Sequence, residues 1–299
     1  MIQVYSCAND PNARVDVLNY YIKKKHLKIA GETPEETNKI IREIAESTEG
    51  FSAIDLMYLL DKAQDVANET KSKVITDKNF KEAFLRITAG RVSTAKSPNH
   101  DNELTAAHEF GHATTNLIMY NLAKKHGKPW HIPEKLDFIS NDPRGNWGGV
   151  NFFKDNIENQ EMSFEKMFAS VVCGFGGHSV EKRVYQMDGS WGITQDLAQN
   201  THKAEQAVQL MGMGARTGKV SSRYSDQVPT LYAKEIKQDV NTILNNGLRV
   251  SNMIIEVYED FIREMAQKYK DKVGTGECLI TASSFEADFN AWLDKQSPE

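Results

Sequence analysis

The chain has 299 residues, of which 40% are hydrophobic and 26% charged, which is typical of a globular protein with one large or two modest domains. A net charge of −5 gives no electrostatic footprint for nucleic acid or anionic membranes. The first residues lack the basic and apolar regions of a signal peptide, and no apolar run of about 18 residues occurs, so no membrane segment is expected. The three cysteines lie far apart, which indicates a reducing compartment.

The first 90 residues contain four short amphipathic segments with brief connections, which predicts a small helical bundle. Thr33 and Thr76 stand where the N-caps of two of these helices are expected. Gly50 and Gly90 follow the ends of two segments, as glycines commonly do after helices. The polar, proline-containing stretch 91–102 then predicts a linker to a second, larger unit.

The clearest predicted helix runs over residues 103–126. Asp101 or Asn102 can cap its start, and basic residues near its end suit the negative end of the helix dipole. Gly127 follows directly, and we expect it to take the left-handed conformation that often ends a helix.

This helix carries two histidines and a glutamate in a pattern that binds metals. His108 and His112 lie one turn apart on its apolar face, with Glu109 on the adjacent flank. A lone histidine on such a face is usually an ordinary core residue, but burying two imidazoles and a carboxylate together without a cation is costly. Zn²⁺ removes that cost, because both rings can present a nitrogen at about 2.0–2.1 Å. Glu109 would then take a proton from a water that the metal activates.

The third protein ligand of such a site is left open by the spacing. Thr115 and Ile118 occupy the positions where metzincins have a glycine and a third histidine, so that class is excluded. A later acidic residue is the other common solution. Spacing alone does not choose among Glu134, Glu161, Glu165, Glu181 and Asp196.

The residues after this helix predict a β-hairpin and further helices. Residues 135–153 read as two strands around a turn rich in Asn, Asp, Pro and Gly. The three glycines within 174–177 follow a helical pattern without dinucleotide-binding spacing, so we interpret them as points of close packing against the histidine helix. Thr194 is expected to cap a later helix that carries Asp196 in its first turn.

Several stretches resemble, in the same order, parts of the FtsH family of ATP-dependent AAA zinc metalloproteases. "AAHEFGHATTNLI" is similar to the active-site helix of that family, and "DFISNDPRGNWGGV" to its Pro-Arg-Gly hairpin. "GFGGHSVEKRVY" and "GSWGITQDLAQNTHKAEQAVQLMGMG" resemble its Gly-Gly helix and third-ligand segment. "STEGFSAIDLMYLLDKAQDVA" and "ITDKNFKEAFLRITAG" resemble helices of its AAA lid, so the resemblance covers nearly the whole chain.

The resemblance implies a mainly α fold in two parts. Residues 1–92 are expected to form a small helical AAA lid bundle, and residues 93–299 a mostly helical, zincin-like peptidase domain with a small β-hairpin. No Walker A or Walker B element is present, so the large ATPase subdomain is expected to be missing. ATP would act only through that missing subdomain, and the chain alone is not expected to hydrolyse it.

The resemblance also implies roles for individual residues. It makes Asp196 the third zinc ligand beside His108 and His112, with one Zn²⁺ per chain and Glu109 as the catalytic general base. Glu181 stands at a family glutamate position and is expected to support a histidine ligand. An extended substrate is expected to pair with the strand that carries Gly148, Gly149 and Val150.

The resulting hypothesis is a zinc metalloendopeptidase, the proteolytic part of an ATP-dependent protease that degrades unfolded or tagged polypeptides. The resemblance further implies a homo-hexamer in the full-length context and a cytoplasmic location, with membrane anchoring of the parent protein left open. The alternative is a non-enzymatic assembly or regulatory module that retains the peptidase fold. The intact His-Glu-x-x-His argues against that alternative, and the missing ATPase part argues mildly for it.

Overall fold

The computed structural model describes residues 7–93, 101–145, 147–154, 162–219 and 232–296. Within these ranges the fold is mainly α, as predicted, and it contains a three-stranded antiparallel sheet. The α-helices are α1 (Pro11–Lys24), α2 (Pro34–Glu46), α3 (Ala53–Glu69), α4 (Asp77–Thr88), α5 (Asn102–His126), α6 (Phe164–Gly174), α7 (Gly176–Tyr185), α8 (Ile193–Gln209), α9 (Ala233–Tyr269) and α10 (Ala282–Gln296). The strands are β1 (Lys135–Ser140), β2 (Val150–Lys154) and β3 (Leu279–Thr281), and short 3-10 helices lie at Cys7–Asn9, Pro129–His131 and Lys270–Lys272.

Helices α1 to α4 form the predicted bundle around their own apolar core. Thr33 caps α2 by accepting a hydrogen bond from the backbone N–H of Glu36, and Thr76 caps α4 in the same way through Asn79. Both predicted caps are therefore confirmed. The core consists of apolar side chains from all four helices, including Leu18, Ile41, Leu56, Leu59, Leu60 and Phe80.

Helix α5 is the central element of the second unit and packs against α7, α9 and β1. Asp101 caps it by accepting hydrogen bonds from the N–H groups of Glu103 and Leu104, at 2.9 and 3.1 Å. The expectation for Gly127 was wrong, because its φ of −87° is ordinary extended backbone. A Cβ at Gly127 would lie only 2.6 Å from the carbonyl oxygen of Ala123, so the site requires glycine for space and not for a left-handed turn.

The sheet has the order β2-β1-β3, with β1 in the centre and both pairings antiparallel. The predicted hairpin is confirmed, whereas β3 was not predicted. Of the expected substrate strand, only Val150 lies in β2. Gly148 and Gly149 precede the strand. The backbone pair between Arg144 and Trp147 closes the turn, and these two glycines connect that turn to β2.

Ion pairs join the helical bundle to the sheet and to its hairpin turn, among them Lys81 with Asp137 and Arg144 with Glu82. Lys81 Nζ of α4 lies 3.3 Å from Asp137 Oδ1 of β1. The guanidinium of Arg144, in the hairpin turn, bonds to the carboxylate of Glu82 at 2.5 Å and donates to the carbonyl oxygen of Gly90 at 3.0 Å. Since the Arg144 side chain is only 1% exposed, its charge depends on nearby carboxylates, and Glu82 is the one in direct contact with it.

The predicted linker lies only partly within the described ranges. Residues 94–100 lie outside them, whereas Val92 forms a bridge with Arg144 and the N–H of Ser93 donates to Pro143 O at 2.7 Å. The division of the chain at residues 92 and 93 stays a prediction. None of the helices in the described ranges combines the length and apolar character needed to cross a bilayer.

Candidate metal centre

Three side chains that could hold one metal ion meet between α5 and α8. His108 and His112 project from successive turns of α5, and Asp196 from the first turn of α8. The Nε2 atoms of His108 and His112 are 3.1 Å apart. Asp196 Oδ2 lies 3.2 Å from the Nε2 of His108 and 3.3 Å from that of His112. Atoms bound to one tetrahedral zinc at 2.0–2.1 Å would be separated by about 3.3 Å, so this donor set fits one face of a zinc site.

The hydrogen bonds behind the two rings fix which nitrogen faces the centre. His112 Nδ1 lies 2.8 Å from the carbonyl oxygen of Cys173, and His108 Nδ1 lies 2.8 Å from Glu181 Oε1. Because both partners accept hydrogen bonds, each Nδ1 carries a proton, and Nε2 is the nitrogen whose lone pair the neutral ring would offer to a metal ion. Two lone pairs and a carboxylate that face one another require a positive charge between them.

The electrostatics of the cluster agree with this requirement. Burial alone would lower the pKa of His108, but the carboxylates of Asp196 and Glu181 raise it to about 10. Burial would raise the pKa of Asp196, yet the two histidines hold it well below its usual value. Asp196 Oδ2 is also buried without a hydrogen-bond partner in the described part of the chain. A divalent cation would satisfy this oxygen and both Nε2 atoms together.

Helix α8 reaches the centre in a way that differs from the prediction. It begins at Ile193 after Gly192, so Thr194 lies inside the first turn and does not cap it. The reason is that Gly192 already has helical angles, with φ −60° and ψ −35°. Asp196 is nevertheless in the first turn, as expected, and points to the two histidines.

Glu109 is buried beside the metal-binding histidine pair, with only 7% of its surface exposed. Burial raises its pKa, and the neighbouring histidines oppose that shift. Asn151 of β2 donates from Nδ2 to Glu109 Oε2 at 2.6 Å and to the carbonyl oxygen of Glu109 at 3.0 Å. A Cβ at Gly149 would lie 2.6 Å from Glu109 Cγ, so the backbone just before β2 packs directly on this side chain.

Glycines allow α7 to approach α5 at backbone distance, which confirms the predicted close packing for Gly176 and Gly177. Gly174 instead lies against Asn200 of α8, so the prediction was wrong for that glycine. A Cβ at Gly111 would lie 2.5 Å from the carbonyl oxygen of Gly176, and one at Gly176 would lie 2.5 Å from that of Gly111. A Cβ at Gly177 would overlap the His108 ring, with Cε1 at 2.3 Å. These glycines therefore set the position of a histidine as well as the distance between two helices.

The other predicted acidic residues have separate positions. Within the described ranges, His108, His112 and Asp196 form the only group of three or more metal-ligating side chains with convergent donor atoms. Glu165 is 57% exposed and lies 3.6 Å from His131, Glu134 is not in the group, and Glu161 lies outside the described residues. Glu181 contacts His108 on the nitrogen that faces away from the centre.

Two residues near the centre were missed by the sequence analysis. Asn151 contacts Glu109, and Ser190 donates from Oγ to Glu181 Oε1 at 2.9 Å. The only sequence signal for Asn151 is a polar residue between Val150 and the two phenylalanines of the strand. Nothing in the sequence singles out Ser190.

A buried helix with a histidine pair, an intervening glutamate and a carboxylate from a later helix is the arrangement expected of a metallopeptidase. The chain belongs to peptidase family M41, whose family model matches residues 96–275. The resemblance to FtsH proteases is confirmed by relatives across the chain.

Three relatives illustrate the similarity. The chain is 28% identical over 301 residues to the ATP-dependent zinc metalloprotease FTSH 2, chloroplastic, of Oryza sativa subsp. japonica, covering 96% of this chain and 42% of the relative. It is 28% identical to the chloroplastic FTSH 8 of Arabidopsis thaliana over 78% of this chain and 33% of the relative. It is 29% identical to FtsH 4 of Sphaerobacter thermophilus over 80% of this chain and 35% of the relative. The chain therefore spans less than half the length of these relatives.

Proposed function

We propose that this chain is a zinc metalloendopeptidase, the proteolytic part of an ATP-dependent protease that degrades unfolded or tagged polypeptides. The observation that carries the proposal is the convergence of donor atoms from His108, His112 and Asp196, within 3.3 Å of one another, next to the buried Glu109. Membership of family M41 supports it, as do the names of the relatives, which are ATP-dependent zinc metalloproteases.

The residues of the site would divide the work of peptide hydrolysis. A Zn²⁺ ion held by the two histidines and Asp196 would lower the pKa of a water to about 7 and polarise the scissile carbonyl. Glu109 would accept the proton that the attacking water loses and donate it to the leaving amine. Its raised pKa, caused mainly by burial, suits a carboxylate that must hold a proton between these two steps. Glu181 would keep the His108 ring in the required tautomer.

The substrate would bind as an extended strand along β2. This strand lies at the edge of the sheet and pairs with β1 on one side only in the described part of the chain. We propose that polypeptide backbone pairs with the other edge, starting at Gly148, Gly149 and Val150. The packing of Gly149 on Glu109 supports this placement. Recognition through backbone hydrogen bonds suits a protease that accepts many unfolded sequences.

The proposal is tested by measuring zinc content and cleavage of an unfolded protein on the same preparations. The wild type should hold about one zinc per chain and lose activity to a chelator. Asp196→Ala should lose zinc and activity, whereas Glu109→Gln should keep zinc and lose activity. Glu165→Ala is a matched control, because it removes an exposed carboxylate that was a rival third ligand and should change neither quantity.

Each outcome has a definite meaning. Zinc retained in Asp196→Ala would move the third ligand to another acidic residue. Activity retained in Glu109→Gln would contradict the role of that glutamate. A folded wild type that neither binds zinc nor cleaves protein would favour the non-enzymatic assembly module.

We also propose a ring of six copies in the parent protein and a cytoplasmic location, both supported by the FtsH resemblance. ATP dependence would come from a subdomain beyond the part of these relatives that the chain matches. Sedimentation of the purified chain would show whether six copies associate without that subdomain.

A further inference from the structure

Asn151 of β2 donates a side-chain hydrogen bond to the carboxylate of Glu109. Its Nδ2 lies 2.6 Å from Glu109 Oε2 and 3.0 Å from the backbone oxygen of the same residue. One amide group therefore binds both the main chain of α5 and the side chain of the proposed general base. The two residues are 42 positions apart in the sequence, so this is a tertiary contact.

The chemistry of the partners fixes the orientation of the amide. A carbonyl oxygen and an ionised carboxylate can only accept hydrogen bonds, so the NH₂ group of Asn151 faces Glu109. Both of its hydrogens are used by this one residue. The amide oxygen, Oδ1, then points elsewhere and is buried without a hydrogen-bond partner in the described ranges. A buried amide that leaves its own acceptor unsatisfied is held in place mainly by the bonds to Glu109.

The packing around Glu109 reinforces this constraint. Gly149 lies two residues before Asn151, and its Cα side packs against Cγ, Cδ and Oε1 of Glu109, at 2.6, 3.0 and 2.9 Å from an added Cβ. The backbone of Gly149 therefore packs against one side of the carboxylate, and Asn151 donates a hydrogen bond to its Oε2. The bond from Asn151 goes to Oε2, so it leaves Oε1 available for proton transfer.

We propose that Asn151 is a positioning residue that holds the Glu109 carboxylate by Oε2 and keeps Oε1 ready to exchange a proton with the reacting groups. The inference rests on the proposed peptidase function and adds a residue to it. Because Asn151 belongs to β2, the strand proposed to bind the substrate also orients the general base. A fixed base avoids the entropy cost of selecting one rotamer at each turnover.

The test compares two Asn151 variants with a matched control in the full 299-residue chain. Asn151→Ala removes the amide, and Asn151→Leu replaces it with an apolar group of similar size. Asn116→Ala removes a similar bond away from Glu109, since Asn116 ties α5 to β1 through Leu136 N at 3.0 Å and Glu134 O at 2.9 Å. Zinc content, melting temperature, kcat and KM on an unfolded protein are measured for all variants.

Both Asn151 variants should lose about 10- to 100-fold in kcat, which is the usual effect of removing one hydrogen bond to a charged group. Both should keep one zinc per chain, and their KM should stay within about twofold of the wild-type value. Asn116→Ala should melt at a lower temperature and keep its kcat within about twofold at a temperature where it is folded. A merely structural asparagine would lose kcat only together with zinc or stability, so a lower kcat with zinc retained distinguishes a positioning role.

Three results would overturn the inference. An active wild type with unchanged kcat in Asn151→Ala would remove the positioning role and leave the peptidase function intact. Parallel loss of zinc and kcat in both Asn151 variants would make the residue structural. A zinc-loaded wild type that cleaves nothing would overturn the peptidase function and this inference together.

Discussion

Neutralising Glu82 should destabilise the chain far more than neutralising an exposed glutamate on the same bundle. Arg144 is 1% exposed and Glu82 15% exposed, and the two side chains form a direct ion pair at 2.5 Å. Arg144 also donates to Gly90 O, while its Nε is buried without a partner in the described ranges. The substitution Glu82→Gln keeps the shape and one acceptor but removes the negative charge.

The size of the effect follows from that geometry. Removing one partner of a buried ion pair costs about 3–5 kcal/mol, because a buried charge is left uncompensated. Glu82 is partly exposed, and the carbonyl of Gly90 still accepts from Arg144, so we expect the free energy of unfolding to fall by about 2–3 kcal/mol. The matched control Glu69→Gln breaks a contact with Arg86 at a side chain that is 47% exposed. It should cost less than about 1 kcal/mol.

Urea unfolding of the zinc-loaded chain measures both variants, with the midpoint compared at unchanged m-value. The double variant Glu82→Gln with Arg144→Met should recover part of the loss, because it removes the charge that Glu82→Gln leaves buried. Equal destabilisation by Glu82→Gln and Glu69→Gln would refute the reasoning. It would mean that Arg144 reaches water or another acceptor at little cost.

Two further predictions concern the metal centre and the thiols. Gly177→Ala should lower zinc affinity by at least about tenfold, because its methyl group would overlap the His108 ring, and zinc titration of the apo chain measures this. Burial raises the pKa of both Cys173 and Cys278 to about 12, so at pH 8 an alkylating reagent should modify the half-buried Cys7 and spare these two, as mass spectrometry of the native chain would show.

Each of these predictions has a direct control. Gly192→Ala places a methyl group near the same histidine, but its nearest neighbour is the flexible hydroxyl of Ser190 at 3.1 Å, so zinc affinity should change little. Equal loss of affinity in both glycine variants would contradict the steric argument. The buried thiols should react only on unfolding or as the pH approaches 12, and rapid labelling of Cys173 in the folded chain at pH 8 would contradict its burial.

Local patterns allowed much of the fold to be predicted from the sequence. The predicted helix 103–126 differs by one residue from Asn102–His126, because its caps and apolar face are encoded within the helix itself. Thr33 and Thr76 cap their helices for the same reason. The left-handed Gly127 was wrong, since a glycine needed for space and a glycine needed for a positive φ look alike in a sequence.

Contacts between distant segments could not be predicted from residue spacing. Spacing left Asp196 among several acidic candidates, and the structure brings it alone to the two histidines among the described residues. The pairing of Glu82 with Arg144 and that of Asn151 with Glu109 join elements that only tertiary packing brings together. Strand β3 is three residues long, too short for a periodic signal.

The division of the metal-binding atoms between two helices has a consequence for refolding. His108 and His112 acquire their spacing as soon as α5 forms, whereas Asp196 arrives only when α8 packs on α6. Two histidines alone would capture zinc weakly, and tight capture would follow the slower long-range step. A zinc-sensitive dye present during refolding would therefore time the arrival of α8, after the backbone signal of helix formation has already reached its final value.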